Sequence, residues 1–162
     1  MPTEIILQFS TSHAWQSEII RFMCHSPFSH VDVIVPDPPR PHGCLGASDP
    51  GGVMIRPGDY QKFKTRRRAT IVTEKAGAII DLIQSQIGKP FDPKAMKAVL
   101  SSEPRDWRDP SAWFCSELVV WALERAGFFS HLIVPKNRVT PADLLLLLNN
   151  WIDPVEFARE IV

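Results

Sequence analysis

A chain of 162 residues is long enough to bury a core without metal or disulfide staples, and it reads as one domain over residues 1–162. Hydrophobic residues at 44% and charged residues at 22% are the balance of an ordinary soluble globular protein. Eighteen basic and eighteen acidic residues cancel, so the overall basic excess of a nucleic-acid binder is missing and no nucleic-acid partner is expected.

Ile5 to Phe9 reads as a first strand, and Thr11-Ser12-His13-Ala14 as a polar turn. Trp15 to Cys24 has helical spacing in Trp15, Ile19, Phe22 and Met23, and His25-Ser26-Pro27 breaks that helix. His30 to Val35 is β-branched and apolar, the clearest strand in the chain. The proline-rich stretch Pro36 to Gly43 is expected to be a loop, because proline removes ladder donors. Cys44 to Ala47, the turn Asp49-Pro50-Gly51-Gly52 and Val53 to Arg56 have hairpin grammar, which implies antiparallel pairing. The basic run Lys62 to Arg68 reads as a solvated strand or loop face.

Ala69 to Thr73 forms another strand. Glu74 to Ile87 is an amphipathic helix closed by Gly88, with Ala76, Ile79, Ile80, Ile83 and Ile87 on one side. Ser101 to Ser111 is polar and proline-bearing, an expected exposed loop. A helix starts at Cys115 and runs to about Ala126, with Gly127 as its stop. Thr140 caps a last helix with Pro141 at its first position, and its Leu144 to Leu148 run is expected to be buried. Helices and hairpin strands mix without regular βαβ alternation, so the fold class is α+β.

Three cysteines, Cys24, Cys44 and Cys115, form an odd set without paired spacing. That argues against a disulfide framework and for a reducing compartment. Met1 to Leu7 lacks the basic start and long apolar stretch of a signal peptide, and the five-leucine run from Leu144 to Leu148 is too short for a membrane span. A cytoplasmic protein without stable membrane insertion is expected; signal-independent export or a phage origin is compatible with the same features. No exposed amphipathic anchor stands out. The cysteine and histidine spacings fit no metal site and no nucleotide motif is present, so neither metal nor cofactor is expected.

Cys115 opens its helix among unpaired N–H groups at the positive end of the macrodipole, a setting that favours a thiolate and can hold an oxyanion. A thiol nucleophile needs a base. His13, His25, His42 and His131 fall in expected turns or loops, whereas His30 heads the strong strand. Alternation puts His30, Asp32 and Ile34 on one face and Val31, Val33 and Val35 on the other. Cys115, Val119, Ala122 and Ala126 share one small apolar helix face suited to lying on a sheet. A cysteine at the head of such a helix and a histidine on the strand beneath make a workable dyad.

The segments Ser29-His30-Val31-Asp32-Val33-Ile34-Val35 and, later, Trp113-Phe114-Cys115-Ser116-Glu117-Leu118-Val119 resemble the permuted papain-like amidases of the NlpC superfamily, the YiiX/YaeF-like group. Gly51 to Pro57, Ile87 to Asp92 and Val139 to Leu144 fit the same pattern, so the resemblance runs from about Phe28 to Leu145. It implies a circularly permuted papain-like fold, an antiparallel sheet packed against the helix that starts at the catalytic cysteine. It also implies Cys115 as nucleophile and His30 as base, with a peptidoglycan stem peptide as a candidate amide substrate. The family's third residue, often Glu, would fall at Gly46, which has no side chain; Asp32, Ser48 or a backbone carbonyl are the substitutes. Same-face residues lie about 7 Å apart along a strand, which leaves contact between Asp32 and His30 open. Trp113, Phe114 and Asp32 are expected to line the cleft. The competing expectations are lipid acyl transfer through the same pair, and a catalytically weak papain-like module kept for binding.

Overall fold

The computed structural model describes residues 3–94, 109, 111–129 and 139–152. Five strands, β1 (Glu4–Ser12), β2 (His30–Asp37), β3 (Arg40–Ser48), β4 (Gly52–Pro57) and β5 (Phe63–Val72), form one antiparallel sheet in the order β4-β3-β2-β1-β5. Helices α1 (Trp15–Cys24), α2 (Ala76–Gln84), α3 (Cys115–Arg125) and α4 (Pro141–Leu147) complete a mixed α+β architecture. The expected loop over Ser101 to Ser111 falls mostly outside the described residues.

One face of the sheet is apolar, as the alternation requires. Leu7 pairs with Val33, Phe9 with Val31, and Val33 with Leu45, and all five side chains are buried in the core. Helix α3 covers this face with Leu118, Val119 and Ala122, α2 adds Ile79 and Ile83, and Leu144 and Leu148 of the α4 segment close the core. The opposite face carries Gln8, Ser10, Asp32 and His30, which meet as the pairs Gln8–Asp32 and Ser10–His30. His30 and Asp32 thus lie on the face away from α3. His30 meets Cys115 because it is the first residue of β2, at the end of the sheet where the helix begins.

Several expectations need correction. Only Pro38 and Pro39 of the expected proline loop form a turn: β2 continues through Pro36 to Asp37, β3 starts at Arg40 and includes Pro41, and Asp37 pairs with Arg40 across a register shift. Pro36 lies within that irregularity, where its missing N–H costs no regular ladder bond. Thr11 and Ser12 likewise extend β1, pairing with Thr65 and Phe63. Finally, α1 presents an exposed amphipathic face where none was expected. Ile20 faces inward, whereas Trp15 and Phe22 are 68% and 77% exposed and Ile19 and Met23 are exposed beside them. The helix was placed correctly from its spacing, but its apolar stripe is an exposed amphipathic face after all. In the last helix, Leu144 and Leu148 are buried as expected, but Leu146 is exposed.

A strap joins the edge of the sheet to the head of α3. The Val53 N–H donates to the Lys89 carbonyl and the Gly88 N–H to the Val53 carbonyl, at 2.9 and 3.0 Å. Trp113 N–H then donates to Pro90 O and Asp92 N–H to Trp113 O, at 3.0 and 2.9 Å. The chain therefore arrives at Cys115 with its position set by β4. Gly52 makes the strap's close approach feasible: its φ is +72°, and a Cβ there would lie 2.2 Å from the Lys89 carbonyl oxygen. Gly52→Ala is expected to lower stability by about 2 kcal/mol or more, from the positive φ and the backbone clash together. A urea titration checks this, and an unchanged midpoint would mean that the strap does not press on residue 52.

Candidate active site

Cys115 is the first residue of α3, following Phe114 in extended conformation (φ −89°, ψ 155°). The first turn is pinned on two sides. Glu117 accepts from the Phe114 N–H at 3.3 Å, and the Ser116 hydroxyl donates to the Val139 carbonyl ahead of α4. On the sheet, Ser29 docks β2 onto β1: its N–H donates to the Ser10 carbonyl at 3.0 Å and its hydroxyl lies 2.9 Å from that of Thr11. Phe28 packs on Phe9 beneath, with ring centroids 5.8 Å apart. The residue after this anchor is His30.

Cys115 and His30 line one cleft with about 280 Å³ of free space. Its walls come from α1 (Gln16, Ser17, Ile20), the sheet end (Ser12, Ser29, Ser48) and the strap (Phe91, Pro93), with Phe114 and Gln61. Phe91 and Phe114 pack together with centroids 5.8 Å apart. Two expectations about the lining fail. Trp113 turns away from the cleft, its indole N–H donating to Gln86 at 3.2 Å and its ring lying 5.1 Å from that of Trp121. Asp32 is fully buried, behind His30 rather than in the cleft wall.

The distance left open by the strand repeat is short. His30 Nε2 lies 3.0 Å from Asp32 Oδ1, a close ion-pair contact set off the axis of an in-line hydrogen bond. The two same-face side chains lean toward each other across the spacing of their Cα atoms. The same imidazole also meets the Cys115 side chain. The second carboxylate oxygen, Oδ2, accepts from the Tyr60 hydroxyl at 2.9 Å. Gly46 has a definite part in this arrangement. The register Val33–Leu45, carried one residue further, sets Gly46 opposite Asp32, and a Cβ on Gly46 would lie 2.5 Å from Oδ1. Ser48, the other substitute considered, lines the cleft, and its carbonyl accepts from Arg56 at 3.4 Å.

Burial alone would lower the pKa of His30. The charges of Asp32 and Cys115 and the short contacts with both outweigh that and raise it from 6.5 to about 10. His30 therefore holds a proton at neutral pH. The other two cysteines are set apart from this cation: burial pushes the Cys44 thiol up to about 12, and burial also raises that of Cys24. Neither is disposed to form a thiolate.

Tyr60 and Phe91 were not anticipated. Tyr60 is the only tyrosine and follows Pro57-Gly58-Asp59 in a bend between strands, where no periodicity points toward a carboxylate 28 positions earlier. Phe91 was visible only as part of the Ile87 to Asp92 resemblance.

No family model and no curated protein matches the chain. A solved structure does: the crystal structure of an Escherichia coli O157:H7 protein described as metalloprotein YiiX, DUF1105, with a TM-score of 0.56 and 18% identity over 99% of this chain and 88% of that one. At that identity the likeness is one of fold. Among the described residues of the present chain, no group of three or more His, Cys, Asp or Glu is placed to hold a metal ion. No helix among them is long and apolar enough to cross a membrane.

The raised pKa of His30 has a consequence for stability. A group whose folded pKa is raised stabilises fully below its unfolded value, and the contribution is lost as pH rises through the folded value. The stability advantage of the wild type over Asp32→Asn is therefore expected to be largest near pH 6.5 and to shrink toward pH 10. Urea midpoints of both proteins across that range test it; a constant difference would mean that Asp32 does not pair with a protonated His30.

Proposed function

We propose that this chain is a cysteine hydrolase of amide bonds with a permuted papain-like fold, using Cys115, His30 and Asp32. The observation that carries the reading is the shared cleft in which a helix-opening cysteine meets a histidine backed by a buried carboxylate. The Cys115 thiolate adds to the amide carbonyl, and the Cys115 N–H at the head of α3 donates to the oxyanion. His30, held protonated, gives its proton to the departing amine and then takes one from the water that hydrolyses the thioester. Asp32 orients the imidazole and offsets its charge. Gln16 and Gln61 bring amide donors to the same cleft. The fold likeness to YiiX and the order of the two motifs, histidine before cysteine, support this reading, with a peptidoglycan stem peptide as the first substrate to try.

Cys115→Ala is expected to abolish hydrolysis of peptidoglycan or of a fluorogenic amide, and Asp32→Asn to slow it on the order of 100-fold. Wild-type activity should also fall as pH rises through about 10, where His30 loses its proton. Equal turnover by the wild type and Cys115→Ala would overturn the proposal. The alternative of a catalytically weak binding module rested on the missing side chain at position 46; the Asp32 carboxylate beside His30 supports the enzymatic reading instead.

A second reading, acyl transfer from lipid, is favoured by the exposed Trp15, Ile19, Phe22 and Met23 on the helix whose inner residues wall the cleft. Here the Cys115 thiolate would take the acyl group of a lipid ester as a thioester, and His30 would protonate the departing alkoxide to release lysolipid. Intact mass after incubation with phosphatidylcholine vesicles would show an acyl adduct on the wild type and none on Cys115→Ala. An unmodified wild-type mass would count against this second reading.

A further inference from the structure

We propose that Tyr60 is a positioning residue for the cysteine–histidine pair: its hydroxyl keeps the Asp32 carboxylate turned toward His30, in a slot that exists because residue 46 is glycine. The inference rests on reading Cys115 and His30 as the reacting pair. Two oxygens of one carboxylate face two partners on different strands and loops, Oδ1 toward His30 Nε2 at 3.0 Å and Oδ2 toward Tyr60 Oη at 2.9 Å. The terminal torsion of an aspartate is soft, so a carboxylate held only by the imidazole would turn freely. A donor on the far oxygen removes that freedom.

Tyr60 is itself held from several directions. Gln61 Nε2 donates to its hydroxyl oxygen at 3.3 Å, its ring meets Phe63 edge-on at 5.6 Å, and the Arg56 guanidinium lies 5.7 Å from the ring centroid. Arg56 is in turn anchored to the β3–β4 hairpin, donating to the carbonyls of Gly46 at 3.0 Å and Gly52 at 2.7 Å. Burial first, and then the charge of Asp32, raise the phenol's pKa above its ordinary value, so it remains a neutral donor. Cys44 also faces Asp32, and it stays a neutral thiol because burial raises its pKa to about 12. From the β3 side, a methyl on Gly46 would stand 2.5 Å from Oδ1 and push the carboxylate from its place.

Tyr60→Phe removes only the hydroxyl and keeps the ring on Phe63 and Arg56. The test reads the titration of His30 by NMR in the full chain, its ring signals assigned by their loss in His30→Gln, beside the pH profile of Cys115 alkylation by iodoacetamide. Tyr60→Phe is expected to lower the His30 midpoint by about one pH unit, and with the imidazolium weakened, alkylation of Cys115 near neutral pH is expected to slow. With Asn at position 32, the same tyrosine substitution is expected to add nothing. Gly46→Ala, with Tyr60 intact, should lower the midpoint too and so serves where Tyr60→Phe does not fold. An unmoved midpoint in either folded variant, or an equal shift with Asn at position 32, overturns the proposal. None of these readouts requires turnover of an amide, so a Cys115 inert toward amides would sink the proposed function and leave this result standing.

Discussion

A fully buried carboxylate is the constraint around which the site is arranged. A charge removed from water is costly unless it is paired and hydrogen-bonded. Asp32 meets that requirement with the imidazole of His30 on one oxygen and the phenol of Tyr60 on the other. The absence of a side chain at Gly46 is part of the same solution, since any Cβ there would occupy the space of Oδ1. The bare position at Gly46 leaves the room that the Asp32 carboxylate on the neighbouring strand occupies.

The sheet separates apolar from polar side chains by its two faces. Val31 and Val33 face the core under α3, while Asp32 between them faces the polar side with Gln8. A single strand thus anchors the helix that carries the thiol and holds the carboxylate that backs the imidazole. The pair meets at the sheet end, where β2 begins and α3 begins. The strap from Val53 through Lys89 and Pro90 to Trp113 ties that helix head to the sheet edge. Relative placement of Cys115 and His30 therefore depends on backbone hydrogen bonds more than on either side chain.

Local pattern carried a large part of the fold. The starts of α3 at Cys115 and of α4 after Thr140 fall where neighbouring residues alone put them. The β3–β4 hairpin follows from Asp49 to Gly52. Patterns failed where pairing outweighed propensity, as at Pro36, whose missing donor falls in a register shift. They failed also on α1, where helical spacing located the helix but not the side that faces solvent; periodicity defines a stripe and is silent about what covers it.

Cys115 at a helix start, His30 at a strand start and their order along the chain were determined by the sequence, because each depends on residues within a few positions. The closeness of Asp32 to His30, the vacancy at Gly46 and the donor from Tyr60 were decided only by the tertiary structure. Side-chain lean within a strand, the register between β2 and β3, and a loop folding back over the sheet are contacts between distant segments, and no local spacing encodes them.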